Sequence, residues 1–234
     1  MHIEEGRIAE VTMPKVSIVI PVYDGDAYLS ESLESIRNQT EKDIEIIVVN
    51  DASPDYTPEL MDWYVKQDPR IRFFHLEENH GVCYARNYGN ERAEAEILLV
   101  SDQDDLSMPN RVEVSLAFMD AHPEIDCITS WYFNCNVDGV PVTEHHPLDI
   151  TLELLEKAEP WFHSSACYRK KDILALPYRE VQGCTDDWVF LQDWLGAGKK
   201  FKTLSEILAN CRRPPWSKMQ ERRAAQGMAP SYIL

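Results

Sequence analysis

The sequence predicts an α/β fold: a doubly wound, mostly parallel sheet followed by a mixed, partly antiparallel half. Three observations carry this. Runs of β-branched and aliphatic residues at 16–22 (VSIVIPV), 44–49 (IEIIVV), 71–76 and 96–100 alternate with segments of helical period, and a βαβαβαβ order implies right-handed crossovers with helices on both faces. Three of these runs end in acids: Asp24, Asn50-Asp51 and Asp102-Gln103-Asp104-Asp105. Past Pro109 the pattern becomes mixed, and Asp138-Gly139 reads as a hairpin turn between short strands. Open parallel sheets bind ligands outside the carboxyl ends of their strands, so the acids should converge on one crevice. Carboxylates gathered alone repel one another, whereas a divalent metal and ligand hydroxyls would make the same cluster favourable.

The first strand, 16–22, leads into a helix over 26–39, where Tyr28, Leu29, Leu33 and Ile36 form one stripe and Asp26 is available as a cap. The second strand is followed by a Ser53-Pro54 turn and a helix with Leu60, Met61, Tyr64 and Val65 inward. Gly81 opens a helix through Tyr84, Ala85, Tyr88 and Arg92 between the third and fourth strands. Next come a helix around 110–120 and an apolar strand at 125–131. Beyond the hairpin, 149–158 reads as helical, 163–168 as extended, and 186–195 as helical with Trp188, Leu191 and Leu195 on one face. The basic tail, 211–226, ends in a helix that could close over a ligand.

At 234 residues the chain is long enough to bury a substantial core, and one domain is expected. A net charge of -17 argues against a nucleic-acid or anionic-membrane surface, which needs clustered Lys and Arg. Cys83, Cys127, Cys135, Cys167, Cys184 and Cys211 are scattered without metal-ligand spacing, which reads as reduced, mostly buried thiols. Residues 1–14 are a polar lead-in without the pattern of a secretory signal, and no apolar run approaches the roughly 20 residues that span a bilayer. A soluble, cytoplasmic protein is expected, with attachment to a membrane through a partner left open.

Four fragments carry a resemblance. IVIPVYDGDAYLSESLESIRNQT, VVNDASPDYT, ENHGVCYARNYG and LLVSDQDDLSMPNR are similar, in order and spacing, to the first strand and helix, the second-strand acidic loop, the Asn-x-Gly-x-x-x-Ala-Arg-Asn segment and the Asp-x-Asp segment of the family 2 glycosyltransferases, which have the A-type nucleotide-sugar fold. The likeness covers most of 16–217. It implies a nucleotide-binding half at 15–108, an acceptor half at 109–210 and a closing tail at 211–234.

The chemistry asked of these residues is specific. A nucleotide-sugar carries a diphosphate whose charge must be neutralised before it leaves, and Mg²⁺ or Mn²⁺ suits carboxylate ligands with phosphate oxygens and waters completing the shell. By resemblance, Asp104 holds the metal, Asp102 contacts ribose or donor sugar and shares the metal, and Asp105 is a second metal contact. Asp105 or Ser107 as a cap for the next helix is the plainer alternative. Asp51 is placed at the base, where an Asx turn in Asn50-Asp51-Ala52-Ser53 is compatible. Arg86 points to base or diphosphate, and Pro21, Tyr23 and Asp24 lie against the nucleoside.

Gly183-Cys184-Thr185-Asp186-Asp187-Trp188 resembles the family's Glu-Asp pair, with Asp186 replacing the usual Glu. An inverting transfer needs a carboxylate that takes the acceptor hydroxyl's proton. Asp187 is therefore the expected base and Asp186 the second choice; a helix first-turn acid is the structural alternative. One departure stands out. Where the family carries Tyr-Arg-x-His after the last strand, this chain has Cys211-Arg212-Arg213-Pro214, so a histidine ligand there is in doubt. Arg212 and Arg213 are the candidates for diphosphate and Trp216 for stacking on an acceptor sugar, while His145, His146 and His163 read as surface or acceptor-side residues.

These expectations describe an inverting, metal-dependent transferase that moves a sugar from a nucleotide-diphosphate donor, UDP-linked, to a hydroxyl acceptor: a glycan, lipid-linked glycan, protein or small molecule. Two rivals are a binding protein on the same fold without turnover and a sugar nucleotidyltransferase. The latter usually carries Gly-x-Gly-Thr-Arg after its first strand, which PVYDGDAYL lacks. Neither a P-loop nor a dinucleotide fingerprint is present.

Overall fold

The computed structural model describes residues 13–151, 153, 162–181 and 186–213. Its strands and helices follow the alternation expected from the sequence: β1 (Val16–Val22), α1 (Leu29–Arg37), β2 (Ile44–Asn50), α2 (Thr57–Gln67), β3 (Ile71–His75), α3 (Val82–Arg92) and β4 (Ile97–Val100). The second half adds β5 (Leu106–Ser107), α4 (Arg111–Ala121), β6 (Cys127–Cys135), β7 (Pro141–His145), β8 (Cys167–Arg169), α5 (Lys170–Ala175), α6 (Asp186–Gly196) and β9 (Phe201–Arg212).

All these strands form one sheet in the order β3-β2-β1-β4-β8-β6-β9-β5, with β7 hydrogen-bonded to β6. β1 pairs in parallel with both β2 and β4, and β2 in parallel with β3. The chain therefore winds outward from β1 to β3 and returns to the other side of β1 at β4. That reversal is the switch point at which an open sheet forms a crevice beyond its carboxyl ends. β8 joins β4 antiparallel, and β6–β7 is the antiparallel hairpin, its turn made by Gly139 at φ 74°.

Strand alternation builds a core on each face. Val16, Ile18, Ile20 and Val22 of β1, with Ile46 and Val48, pack among Leu29, Leu33, Met61, Val112 and Met119 of α1, α2 and α4. Val19, Ile47, Val49, Leu98 and Val100 face the other way, toward Ala85 of α3, Ile173 of α5 and Phe190, Leu191 and Trp194 of α6. At Gly89 the α3 backbone comes so close to β1 that a Cβ would lie 2.5 Å from Val19 Cγ1, so a side chain there would lift the helix.

Several local expectations are corrected. Asp26 does not cap α1; its backbone N–H donates to Asp55 Oδ2 at 2.8 Å, and the helix starts after Tyr28. Val65 faces solvent, although Met61 and Tyr64 point inward as their spacing predicts. Residues 163–165 form a 3₁₀ turn before β8, and β6 continues past 131 to Cys135. The last strand includes Cys211 and Arg212, which the sequence places in the tail. Of the helix expected over 149–158, residues 149–151 are not helical, and 152 and 154–158 lie outside the described residues. Cys83, Cys127, Cys135, Cys167 and Cys211 are buried free thiols.

Candidate active site

The crevice is built by three loops that follow β1, β2 and β4. In the first, Asp24 takes φ 55°, and in the second Ala52 takes φ 57°, both left-handed conformations uncommon for residues with a side chain. The loops hold one another in place. Ser53 Oγ accepts the Asp24 N–H at 3.1 Å, and the Gln103 amide clasps Tyr23, accepting its N–H at 2.8 Å and donating to its carbonyl at 3.1 Å. Pro21 is buried within β1, whereas Tyr23 and Asp24 are exposed at its end. Asn50 Oδ1 accepts the Ser53 N–H at 3.1 Å, the Asx turn read from the sequence.

Asp51 is 3% exposed, and its two carboxylate oxygens accept the backbone N–H groups of His80 and Gly81, each at 2.8 Å. It thus ties the end of β2 to the start of α3, where Gly81 has φ 89° and a Cβ would strike Glu180 Oε1. Each oxygen keeps lone-pair capacity for a ligand donor.

Arg86 is buried beneath the crevice. Its Nη2 donates to Asp102 Oδ1 at 2.7 Å and its Nη1 to Asp186 Oδ2, with the Tyr178 ring centroid 5.4 Å from Cζ. Burial opposes its charge, but Asp102 together with the hydroxyls of Tyr178 and Tyr168 outweighs that and raises its pKa. Asp102 Oδ2 makes no hydrogen bond among the described residues. The Asp102 N–H donates to Ser164 Oγ at 2.9 Å.

Asp104 is partly buried, and no other described residue donates to its carboxylate. Burial, then the charge of Asp102, pushes its pKa up to about 6 against the pull of Arg212 and Arg213. Asp105, 4% exposed, is pushed well above the usual carboxylate range by burial and by its two acidic neighbours, and its Oδ1 accepts the Arg212 N–H at 2.9 Å. Neither Asp105 nor Ser107 caps α4: Ser107 Oγ instead accepts from Arg111 Nη1 at 2.9 Å.

The two tail arginines divide. Arg212 is 4% exposed and uses its guanidinium inside the protein, on Asp104 O at 3.0 Å, Val137 O at 2.7 Å and Glu31 Oε2 at 2.6 Å. The guanidinium expected at the diphosphate thus clamps the acidic loop from within. Arg213 is less buried, with Nε donating to Asn134 Oδ1 at 3.0 Å. Asp187 lies half-buried in the first turn of α6, with Oδ1 accepting the Trp188 N–H at 2.9 Å. Pro214 and Trp216 lie outside the described residues.

His163 is not a surface residue. It is 5% exposed, within 2.7 Å of the Tyr178 hydroxyl, and packed against Phe190. His145 stacks on Tyr132. Sequence reasoning missed Gln103, Ser164 and Tyr178. Gln103 sits inside the acidic motif and was legible as a neighbour, but Ser164 and Tyr178 reach the site only through the fold.

The metal tested against this geometry fits in part. Among the described residues no three acids, histidines or cysteines form a ready cage. What the chain offers is a partly buried Asp104 carboxylate without a donor from another described residue, beside Asp102, and such a pair suits a cation whose remaining ligands are phosphate and water.

A curled mixed sheet with an acidic crevice at its switch point defines an A-type nucleotide-sugar transferase. The fold matches that of S. aureus TarS 1-349 in complex with UDP-GlcNAc, with a TM-score of 0.71 and 22% identity over 88% of this chain and 60% of that one. It also matches the mannosyltransferase PcManGT from Pyrobaculum calidifontis, in complex with GDP-Man and Mn2+, with a TM-score of 0.69 and 19% identity over 92% of this chain and 62% of that one. Residues 17–196 match the model of glycosyl transferase family 2, and the chain belongs to that family. An uncharacterized glycosyltransferase of Methanocaldococcus jannaschii is 28% identical over 97% of this chain and 80% of its own length. GlyG of Streptococcus pneumoniae, a glycosyltransferase, is 35% identical over 51% of this chain and 39% of its own. No helix among the described residues is long and apolar enough to cross a membrane.

Proposed function

We propose that this glycosyltransferase moves a sugar from a UDP-linked donor to a hydroxyl acceptor in a single inverting displacement assisted by a divalent metal. The observation that carries the reading is the bridge that the buried Arg86 makes between Asp102 and Asp186, whose near neighbours in the chain are Asp104 and Asp187. It brings donor-side and acceptor-side carboxylates to one crevice. The complexes of TarS with UDP-GlcNAc and of PcManGT with GDP-Man and Mn2+ support a nucleotide-sugar donor and a divalent ion.

In this reading Asp24, Asp51 and Tyr23 frame the nucleoside. Asp104 and Asp102 would hold Mn²⁺ or Mg²⁺, which when bound neutralises diphosphate charge. Asp105 is committed to Arg212 and orients the loop, so the metal contacts are assigned to Asp104 and Asp102 alone. Arg213 adds positive charge on the same side. Asp186 is held by Arg86, which leaves Asp187 to take the acceptor proton as the hydroxyl attacks the anomeric carbon from the face opposite the leaving diphosphate.

A thermal-shift screen of UDP, GDP and their sugars with Mn²⁺ tests it. A ligand at about 100 times its dissociation constant adds about 2.7 kcal/mol of stability. UDP compounds are expected to give the largest shift, lost with EDTA and in Asp104→Asn. A larger shift with GDP compounds would overturn the base assignment, and an EDTA-insensitive one the metal.

A further inference from the structure

The family-like segment around α3 does something specific in this chain. Two consecutive side chains, Arg86 and Asn87, both reach toward the connection that leads from α5 into α6. Asn87 makes a two-point contact with the Tyr178 backbone, donating from Nδ2 to the carbonyl at 2.7 Å and accepting the N–H on Oδ1 at 3.0 Å. Arg86 then takes hold of Asp186, the first residue of α6. The same guanidinium holds Asp102 at the end of β4. Acids 84 positions apart are thereby bridged by a group whose side chain is 7% exposed, while theirs are 30% and 22% exposed.

The guanidinium fork is planar and rigid, so two carboxylates bound to its two terminal nitrogens have a fixed mutual placement, which an ammonium could not impose. Successive residues of a helix point about 100° apart, because a turn takes 3.6 residues. Fixing Asp186 at the head of α6 therefore also fixes the direction in which Asp187 projects. The apolar anchors of the helix, Phe190, Leu191 and Trp194, lie further along it and set its depth more than the aim of its first turn.

We infer that Arg86 is a positioning residue that, through Asp186, sets the proton-accepting Asp187 against the Asp102–Asp104 donor loop. It does not bind the donor diphosphate itself. This rests on the proposed transfer reaction and on Asp187 as its base. Misplacement of a reacting group by about 1 Å costs on the order of 100-fold in rate, so a strut between the two halves of a site has leverage without touching substrate.

Two double-variant cycles with Arg86→Gln and Asp186→Asn test the inference, one read by urea unfolding of the free protein and one by turnover of UDP-GlcNAc or whichever nucleotide-sugar the Mn²⁺ screen selects. Asp186→Asn is expected to slow turnover roughly 10- to 100-fold while leaving the UDP dissociation constant within about twofold. The double variant should be no slower, and no less stable, than Arg86→Gln alone, because the two residues act as one unit. Arg86→Lys, which keeps the charge but not the fork, should not restore the rate. Additive losses in either cycle, full rescue by lysine, or weakened UDP binding in Asp186→Asn would each overturn it. Unchanged turnover in Asp187→Asn would instead remove the assigned base and leave both cycles readable.

Discussion

Asp105 Oδ1 accepts the backbone N–H of Arg212 at 2.9 Å, joining the loop after β4 to the last residue of β9 across 107 positions of sequence. The Arg212 side chain completes the joint by holding the carbonyls of Asp104 and Val137 and the Glu31 carboxylate. An arginine so used is a structural clamp. Arg212→Met should leave those acceptors without a donor and lower stability by about 3 kcal/mol, the scale for losing several partly buried hydrogen bonds. Urea unfolding measures this. A residue serving mainly to neutralise diphosphate would behave the other way, with unchanged stability and weakened UDP, and that pattern is expected of Arg213→Met.

On the proposed reading Asp51 carries two tasks on one carboxylate. Its oxygens already accept the N–H groups of His80 and Gly81, so Asp51→Ala should lower stability as well as weaken UDP, the latter by roughly 1–3 kcal/mol for the lost ligand hydrogen bond. Calorimetry below the melting transition separates the two effects. If folded Asp51→Ala binds UDP as tightly as wild type, the residue serves the loop alone and the base lies elsewhere.

How much of this was legible follows from which interactions are local in sequence. β1, β2 and β4 announce themselves through apolar runs, and the acids after them are two residues beyond the visible signal; hence Asp24, Asp51 and Asp102 were placed correctly at strand ends. The direction of each side chain was not visible. Arg86 and Arg212 look alike in sequence as cations near acids. Yet one bridges Asp102 to Asp186 and the other is enclosed by Glu31, Asp104 and Val137, partners supplied by distant elements. The surface reading of His163 failed for the same reason: a histidine between Phe162 and Ser164 reads as polar, and only the packing of Tyr178 and Phe190 around it buries it.

That burial gives His163 a pH signature. Desolvation, then the nearby charge of Arg86, holds its pKa well below that of free imidazole at 6.5. As pH falls through about 6.5 the unfolded chain takes up a proton that the native state refuses, so stability declines on acidification by up to about 1.4 kcal/mol per pH unit from this group. The contribution is absent above that range, where both states are neutral. Denaturation of wild type and His163→Gln between pH 7 and 5 is expected to show a shallower decline in the variant. Parallel curves would mean that the ring is protonated in the native protein.

Asp187 decides whether the crevice turns over or only binds. Asp186 is held by Arg86, and on the proposed mechanism Asp187, next to it in the first turn of α6, is the carboxylate that serves the acceptor hydroxyl. A general base faces the acceptor, so Asp187→Asn should keep the fold and nearly all UDP affinity while the transfer rate drops roughly 10²- to 10⁴-fold. The same displacement inverts the anomeric carbon, and proton NMR of the first product should show a configuration opposite to the donor's. A retained configuration, or unchanged turnover in the variant, would return the search to Asp186. Weakened UDP binding in Asp187→Asn would place the residue on the donor side of the crevice.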